Sequence, residues 1–303
     1  MHHDYTYEAV LAASEKVSWR VEDIIGGEKR LDFTKPFLPE ALAQVAPLSF
    51  LTDHEKLVVN QIRGHNYLYL FGLVEEFILP FVLDYARSQL GQGDCRARAY
   101  LKFAGDEAKH IHLFKRFRQD FEDGFGVTCE VIGPPQEFAR AVLAHHPLAV
   151  ALAILHIEWM TQRHYVDSVR DNQRLDPQFS SLLKHHWLEE AQHSKLDTLM
   201  VETLAEACDD VQIERAIDEY IQIGGLLNGG LQQQTAFDLE AFRRATGRFL
   251  TRDEAAQYTK VQSQAMRWTF LGSGMTHKNF LATVGSLRPE ARERVEQISS
   301  AFC

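Results

Sequence analysis

The residues best suited to chemistry in this chain are concentrated in His185-His186-Trp187-Leu188-Glu189-Glu190-Ala191-Gln192-His193. On an α-helix, at about 100° per residue, His186, Glu190 and His193 fall within roughly 60° of one another, so three metal-ligating side chains share one stripe. A shorter copy lies upstream, Glu107-Ala108-Lys109-His110, again with a Glu and a His one turn apart. Each copy has an acid just before its Glu, Asp106 in one and Glu189 in the other. A Glu-x-x-His pair on each of two helices, completed by one Glu from each of two more, is how a four-helix bundle holds two iron or manganese ions.

With the Glu and His content of this chain about one Glu-x-x-His pair is expected by accident, so the spacing is a weak signal by itself. The flanks strengthen it. Tyr100, Leu101, Phe103, Leu113 and Phe114 surround one copy and Leu182, Leu183, Trp187 and Leu188 the other, unlike a solvated helix face. Two further segments each place carboxylates inside an apolar run: Glu75 and Glu76 in Phe71 to Leu79, and Glu158 in Leu152 to Met160. An ionised carboxylate buried unpaired costs many kcal/mol, so such a group is normally paired, protonated or bound to a metal. On the helical wheel Glu75 shares its side with Leu57, Leu68, Leu79 and Val82, whereas Glu76 lies nearer the polar edge with Glu55 and Arg87. Glu75 is the inward choice, although Pro80 removes an N–H whose partner is the Glu76 carbonyl, and the resulting kink can move the register.

Asp106 and Glu189 read either as solvated helix residues or as acids that orient the ligand imidazoles, since a metal-bound histidine usually donates its other N–H to a carboxylate. The second reading predicts a cross-bundle pairing of Asp106 with His193 and of Glu189 with His110. His186 stands one turn ahead of its motif, where a histidine is a ligand, a neighbour of the site or a core residue. His112, His156, His164 and His185 miss the stripe positions and are expected to be structural.

Helices must present these residues. Thr52 followed by Glu55 has the spacing of a capping box, and a long helix should run from Asp53 to about Ser88. The turn Gly91-Gln92-Gly93-Asp94 ends it, and a second helix continues to about Phe121. Asp120 to Pro135 reads as a connector. Pro147 suits the first turn of a third helix ending near Arg170, and Asp176-Pro177 opens the fourth, which carries the His186 stripe. Helical segments over 210–246 and, after the Thr251/Glu254 capping box, 253–283 should follow, with a short amphipathic tail. Sustained period-2 alternation is absent, so the fold class is all-α. One domain over 1–303 is expected: a wrapping arm over 1–52, a four-helix bundle over 53–205 and C-terminal helices over 206–303.

The order Glu, Glu-x-x-His, Glu, His-x-x-x-Glu-x-x-His resembles the di-iron arylamine N-oxygenases, the p-aminobenzoate N-oxygenase type, within the ferritin-like superfamily. The histidine ahead of the last Glu-x-x-His, His186 here, separates that family from ribonucleotide reductase small subunits, acyl desaturases and bacterioferritins. The match covers residues 53–205 by motif order and spacing. The resemblance implies that Glu75, Glu107, His110, Glu158, His186, Glu190 and His193 hold two irons, Fe/Fe or Mn/Fe, with O2 as co-substrate. It implies an oxygenase or oxidase of a small organic molecule, with N-oxygenation of an amine as the chemistry. The competing reading is a ferritin-like metal storage or detoxification protein. Residues 206–303, with Gly224-Gly225, Gly229-Gly230 and Trp268-Thr269-Phe270, exceed what storage needs and suit the roof of a substrate pocket.

The whole chain is compatible with this. Its 303 residues are 45% hydrophobic and 24% charged, enough to bury a sizeable core. A formal net charge of -10 argues against nucleic acid and anionic membranes as partners. Cys95, Cys129, Cys208 and Cys303 form no Cys-x-x-Cys pair, so neither a zinc knuckle nor a disulfide framework is indicated. The start Met1-His2-His3-Asp4-Tyr5 lacks a secretory pattern, and the longest apolar run, Leu148 to Leu155, falls short of a membrane span. The expected setting is the cytoplasm, with a small-molecule substrate and an electron donor as partners and a homodimer as a compatible assembly.

Overall fold

A computed structural model of the chain describes residues 3–91 and 94–303. Gln92 and Gly93 of the expected turn, and Met1 and His2 of the N-terminal stretch, lie outside the described residues. Four long helices form the body: α3 (Asp53–Gln89), α4 (Asp94–Phe125), α6 (Pro147–His164) and α7 (Pro177–Glu206). Before them come α1 (Tyr7–Ser14) and α2 (Glu40–Ala43), and α5 (Pro135–Leu143) lies between α4 and α6. After them come α8 (Asp210–Thr246), α9 (Arg252–Arg267), α10 (Ser273–Met275), α11 (Lys278–Leu287) and α12 (Pro289–Ser299). The described residues contain no β-strand, only an isolated bridge between Gly26 and Lys29.

Local chemistry sets the helix starts. Thr52 Oγ1 accepts from the Glu55 N–H at 3.3 Å while Glu55 Oε2 accepts from the Thr52 N–H at 2.7 Å, closing the capping box of α3. Asp176 caps α7 by accepting from the Phe179 N–H at 2.6 Å, with Pro177 in the first turn. α3 packs along α4 and α6 along α7, with α4 and α7 also in contact, so the two Glu-x-x-His helices face each other. Val59, Ile62, Leu68 and Leu70 of α3 and Leu113, Phe114 and Phe117 of α4 are fully buried between these layers. Each such side chain contributes about 1.5–3 kcal/mol relative to exposure. α3 is also long and apolar enough to cross a membrane, but 67% of its most apolar window is buried inside the protein, as in a core helix.

The outer helices complete the enclosure. α1 packs on α4 and α7, α5 on α3, and α8 on α6, α3 and α9. Three expectations are corrected. α4 continues to Phe125, and the stretch read as a connector leads directly into the undetected helix Pro135–Leu143, which Pro135 opens. The helix expected over 253–283 is divided. After α9 the chain passes through a π-helical turn, Trp268–Gly272, and stops at Met275, where the His277 side chain accepts from the Asn279 N–H and caps α11. Gly274 permits that path, because a Cβ there would lie 2.0 Å from Cδ2 of His156 on α6.

Candidate metal centre

All seven side chains of the stripe pattern come together in the middle of the bundle. α3 brings Glu75, α4 brings Glu107 and His110, α6 brings Glu158, and α7 brings His186, Glu190 and His193, every one of them buried. The register question at α3 resolves in favour of Glu75, which is 2% exposed. Glu76 points outward and pairs with Lys115 at 3.5 Å.

Two tetrads of ligand atoms result, Glu75 with His110, His186 and Glu190, and Glu107 with His110, Glu190 and His193, each with its atoms within 4.8 Å of one another. His110 and Glu190 belong to both. Nδ1 of His110 lies 3.1 Å from Glu190 Oε1 and 3.7 Å from Glu107 Oε1. Nε2 of His186 lies 2.9 Å from Glu190 Oε1 and 3.2 Å from Glu75 Oε1. Nδ1 of His193 lies 3.0 Å from Glu107 Oε1 and 3.3 Å from Glu190 Oε2. The rings of His110 and His193 are 5.8 Å apart, those of His110 and His186 4.6 Å. Glu158 belongs to neither tetrad and is buried beside Glu190, whose charge is felt at its carboxyl.

Buried polar atoms are almost always hydrogen-bonded, and this cluster breaks that rule at the atoms aimed inward. Both oxygens of Glu107, one each of Glu75 and Glu158, and Nδ1 of both His110 and His193 make no hydrogen bond. Unsatisfied lone pairs converging from four helices are what a cation fits, and the mixed carboxylate and imidazole donor set suits iron and manganese.

Without a cation the cluster relies on protons. Burial, then the neighbouring Glu107, pushes the Glu75 carboxyl up to about 8. Burial, then Glu190, raises Glu158 well above the carboxylate range. Burial opposes charging of His110 and His193, but the carboxylates around them outweigh it and hold both well above an ordinary imidazole. His186 is raised in the same way, chiefly by Glu190. Burial would raise Glu190 itself, yet His193 and His186 bring it well below its usual value.

Glu189 and Asp106 stand behind the histidines in the crosswise arrangement expected of them, the first pairing as a hydrogen bond and the second only at ion-pair distance, with His193 Nε2 lacking a hydrogen bond. Nε2 of His110 lies 2.8 Å from Glu189 Oε2, and Nε2 of His193 lies 3.6 Å from Asp106 Oδ2. A His110 that donates Nε2–H to Glu189 has its Nδ1 lone pair facing the cluster.

Sequence reasoning overlooked several participants. Lys102 binds both oxygens of Asp106 at 2.5 and 2.6 Å, and Lys109 joins Glu189 at 2.5 Å to Asp106 at 3.4 Å. Trp19, from the N-terminal arm, stacks parallel to His110 and lies beneath the Lys109 ammonium. Asp197 is fully buried with neither oxygen hydrogen-bonded, and burial holds its carboxyl well above the usual range despite His193 nearby. Its signal was in the sequence: it follows His193 by four residues on the same stripe.

The histidines read as structural stay out of the cluster. His156 binds the Tyr220 hydroxyl at 2.9 Å and is pushed down to about 4 by burial. His164 sits between Tyr67 and Ser273, at 3.0 Å from each. His185 bonds to the Ser181 carbonyl and His112 is exposed. Beside the cluster, an apolar crevice is lined by Val74 and Ile157, the residues preceding Glu75 and Glu158, together with Phe77, Phe138, Tyr220 and Phe270.

No protein-family description matches the chain, and no curated protein matches it either. Among solved structures it is similar to R2-like ligand-binding oxidase with an aerobically reconstituted Mn/Fe cofactor, at 16% identity over 89% of this chain and 98% of that one, with a TM-score of 0.41. Two single-substitution variants of R2-like ligand-binding oxidase are similar too. One, with an anaerobically reconstituted Mn/Fe cofactor, has 15% identity over 89% of this chain and 93% of that one and a TM-score of 0.45. The other, reconstituted aerobically, has 17% identity over 89% and 96% and a TM-score of 0.44.

Proposed function

We propose that this chain is a ferritin-like di-metal oxidase or oxygenase of a small organic molecule, with N-oxygenation of an amine as its finer assignment. One observation carries the reading: two buried tetrads of ligand atoms share His110 and Glu190, and their inward atoms have no hydrogen-bond partner. Glu75, Glu107, His110, His186, Glu190 and His193 would hold two ions, Fe/Fe or Mn/Fe, and Glu158 would reach them by a side-chain rotation from Glu190. When bound, such a pair supplies two electrons to O2 and the oxidising equivalents for a nearby substrate.

The rest is the work of the chain. Glu189 and Asp106 orient the imidazoles, and the enclosing Phe71, Phe103 and Phe114 exclude water from them, with ring contacts at 5.2 Å to His186, 3.9 Å to His193 and 5.1 Å to His186 respectively. The aromatic and glycine residues that α5, α8 and the π-turn add beside the cluster exceed what metal storage requires, although the crevice they line, about 20 Å³, holds no more than a water in this conformation. On this reading residues 1–303 act as one unit, supplied with electrons by an external donor.

The test is metal content. Protein supplied with iron should bind close to two ions per chain, Glu190→Ala and Glu158→Ala should lose at least one, and Glu76→Gln should lose none. Full retention by Glu190→Ala removes the shared carboxylate from the site and the reading with it.

A further inference from the structure

The pair of lysines behind the cluster is unaccounted for by ligand chemistry. Asp106 and Glu189 are almost fully buried, 4% and 2% exposed, and a buried carboxylate oriented toward a histidine needs something to fix its other oxygen. Glu189 uses Oε2 on His110 and Oε1 on Lys109. Asp106 has both oxygens on Lys102 and places Oδ2 3.6 Å from His193 Nε2, an ion-pair distance rather than a hydrogen bond. Among the described residues Lys109 Nζ is the group in contact with both acids, and so it links α4 to α7 behind both histidine rings. The ammonium is itself held, 4.0 Å from the centre of the Trp19 ring, which in turn stacks at 6.0 Å and 9° on His110. Two acids and two lysines leave this layer without net charge, so the four ligand glutamates balance two divalent ions alone.

We propose that Lys109 is a positioning residue of the metal centre. Its ammonium fixes the Glu189 and Asp106 carboxylates across the helix pair, so that His110 and His193 present Nδ1 to the metals, and Trp19 of the N-terminal arm keeps it in place. Lys102 supports the Asp106 half only. The inference rests on the metal reading above.

The test uses cobalt(II), whose visible spectrum reports nitrogen ligation without turnover. The full-length metal-free protein is titrated anaerobically as wild type, Lys109→Met, Lys109→Arg and Lys102→Met, with the thermal midpoint of each metal-free form measured alongside. Loss of a partner that orients a metal-bound histidine typically weakens metal binding 10–100-fold. Lys109→Met should show a loss in that range with an altered visible band per cobalt, and Lys109→Arg should recover most of it. Lys102→Met should affect one of the two ions more than the other. Wild-type affinity and spectrum in Lys109→Met would overturn the proposal while leaving the metal reading intact. Absence of cobalt binding by the wild type would overturn both. Should Lys109→Met fail to fold, Lys109→Gln replaces it: weakened cobalt binding with an altered band supports the proposal, and wild-type affinity and spectrum overturn it.

Discussion

The cluster should exchange protons for metal, and the number is open to measurement. In the metal-free protein burial and the neighbouring Glu107 push the Glu75 carboxyl up to about 8, burial and Glu190 raise Glu158 well above the carboxylate range, and the surrounding carboxylates hold His110 and His193 well above an ordinary imidazole. Metal ligation requires ionised carboxylates and bare imidazole nitrogens, so filling the site should release protons, at least one of them from Glu75. The apparent constant for loading both ions should then rise with pH around neutrality, with a slope equal to the number of protons released. The stability of the metal-free form runs the opposite way. These groups bind more protons folded than unfolded, so their contribution is complete below the unfolded values of 4.5 and 6.5 and fades as pH rises through the folded ones. For Glu75, from 4.5 to about 8, that is on the order of 5 kcal/mol. Glu190 and Asp106, both held low, lose their contribution only in acid. Anaerobic titration of metal-free protein in weakly buffered solution with an indicator dye counts the protons, and thermal melts from pH 5.5 to 8.5 with and without metal give the two slopes. Release of less than one proton on loading two ions, or a metal-free form that gains stability from pH 6 to 8, would refute the account.

His186→Ala should lower stability by about 1–3 kcal/mol, since Glu75 and Glu190 lose a buried hydrogen-bonding partner. It should keep much of the metal through the remaining ligands while changing the absorbance that follows mixing of the reduced, iron-loaded protein with O2. A destabilised protein with an unchanged oxygen response would remove His186 from the ligand set. Gly274→Ala, whose Cβ would lie 2.7 Å from the His156 carbonyl oxygen, should destabilise by about 1–3 kcal/mol in a thermal melt without altering metal stoichiometry.

Local chemistry made most of the bundle legible. The Thr52/Glu55 box, Asp176-Pro177 and the start of α8 at Asp210 are satisfied within a few residues of chain, so their helices begin where the sequence says. The break at Thr276 and His277 was hidden because it depends on contact between Gly274 and α6, far away in sequence. The helix Pro135–Leu143 was masked by the Gly133-Pro134 pair in front of it, which reads as a loop whatever follows. The same division runs through the site. Glu107, His110, His186, Glu190 and His193 announced themselves by helical spacing, and Glu75 and Glu158 by being acids in apolar runs. Lys102 and Lys109 look like any solvated lysine on α4, because nothing local says that each reaches a buried acid. Trp19 lies 91 residues from the histidine on which it stacks.

Asp197 shows where this matters for chemistry. If Lys102 and Lys109 neutralise Asp106 and Glu189, and two divalent ions neutralise Glu75, Glu107, Glu158 and Glu190, then among the described residues of the centre Asp197 is a buried acid left without a counter-charge. Burial, with Glu107 and Glu190 adding to it, is what raises its carboxyl, and both its oxygens are without a hydrogen bond. The stripe of α7 therefore carries four polar positions of two kinds. His186, Glu190 and His193 turn toward the atoms that would hold the metals, whereas burial raises the Asp197 carboxyl and favours its neutral form.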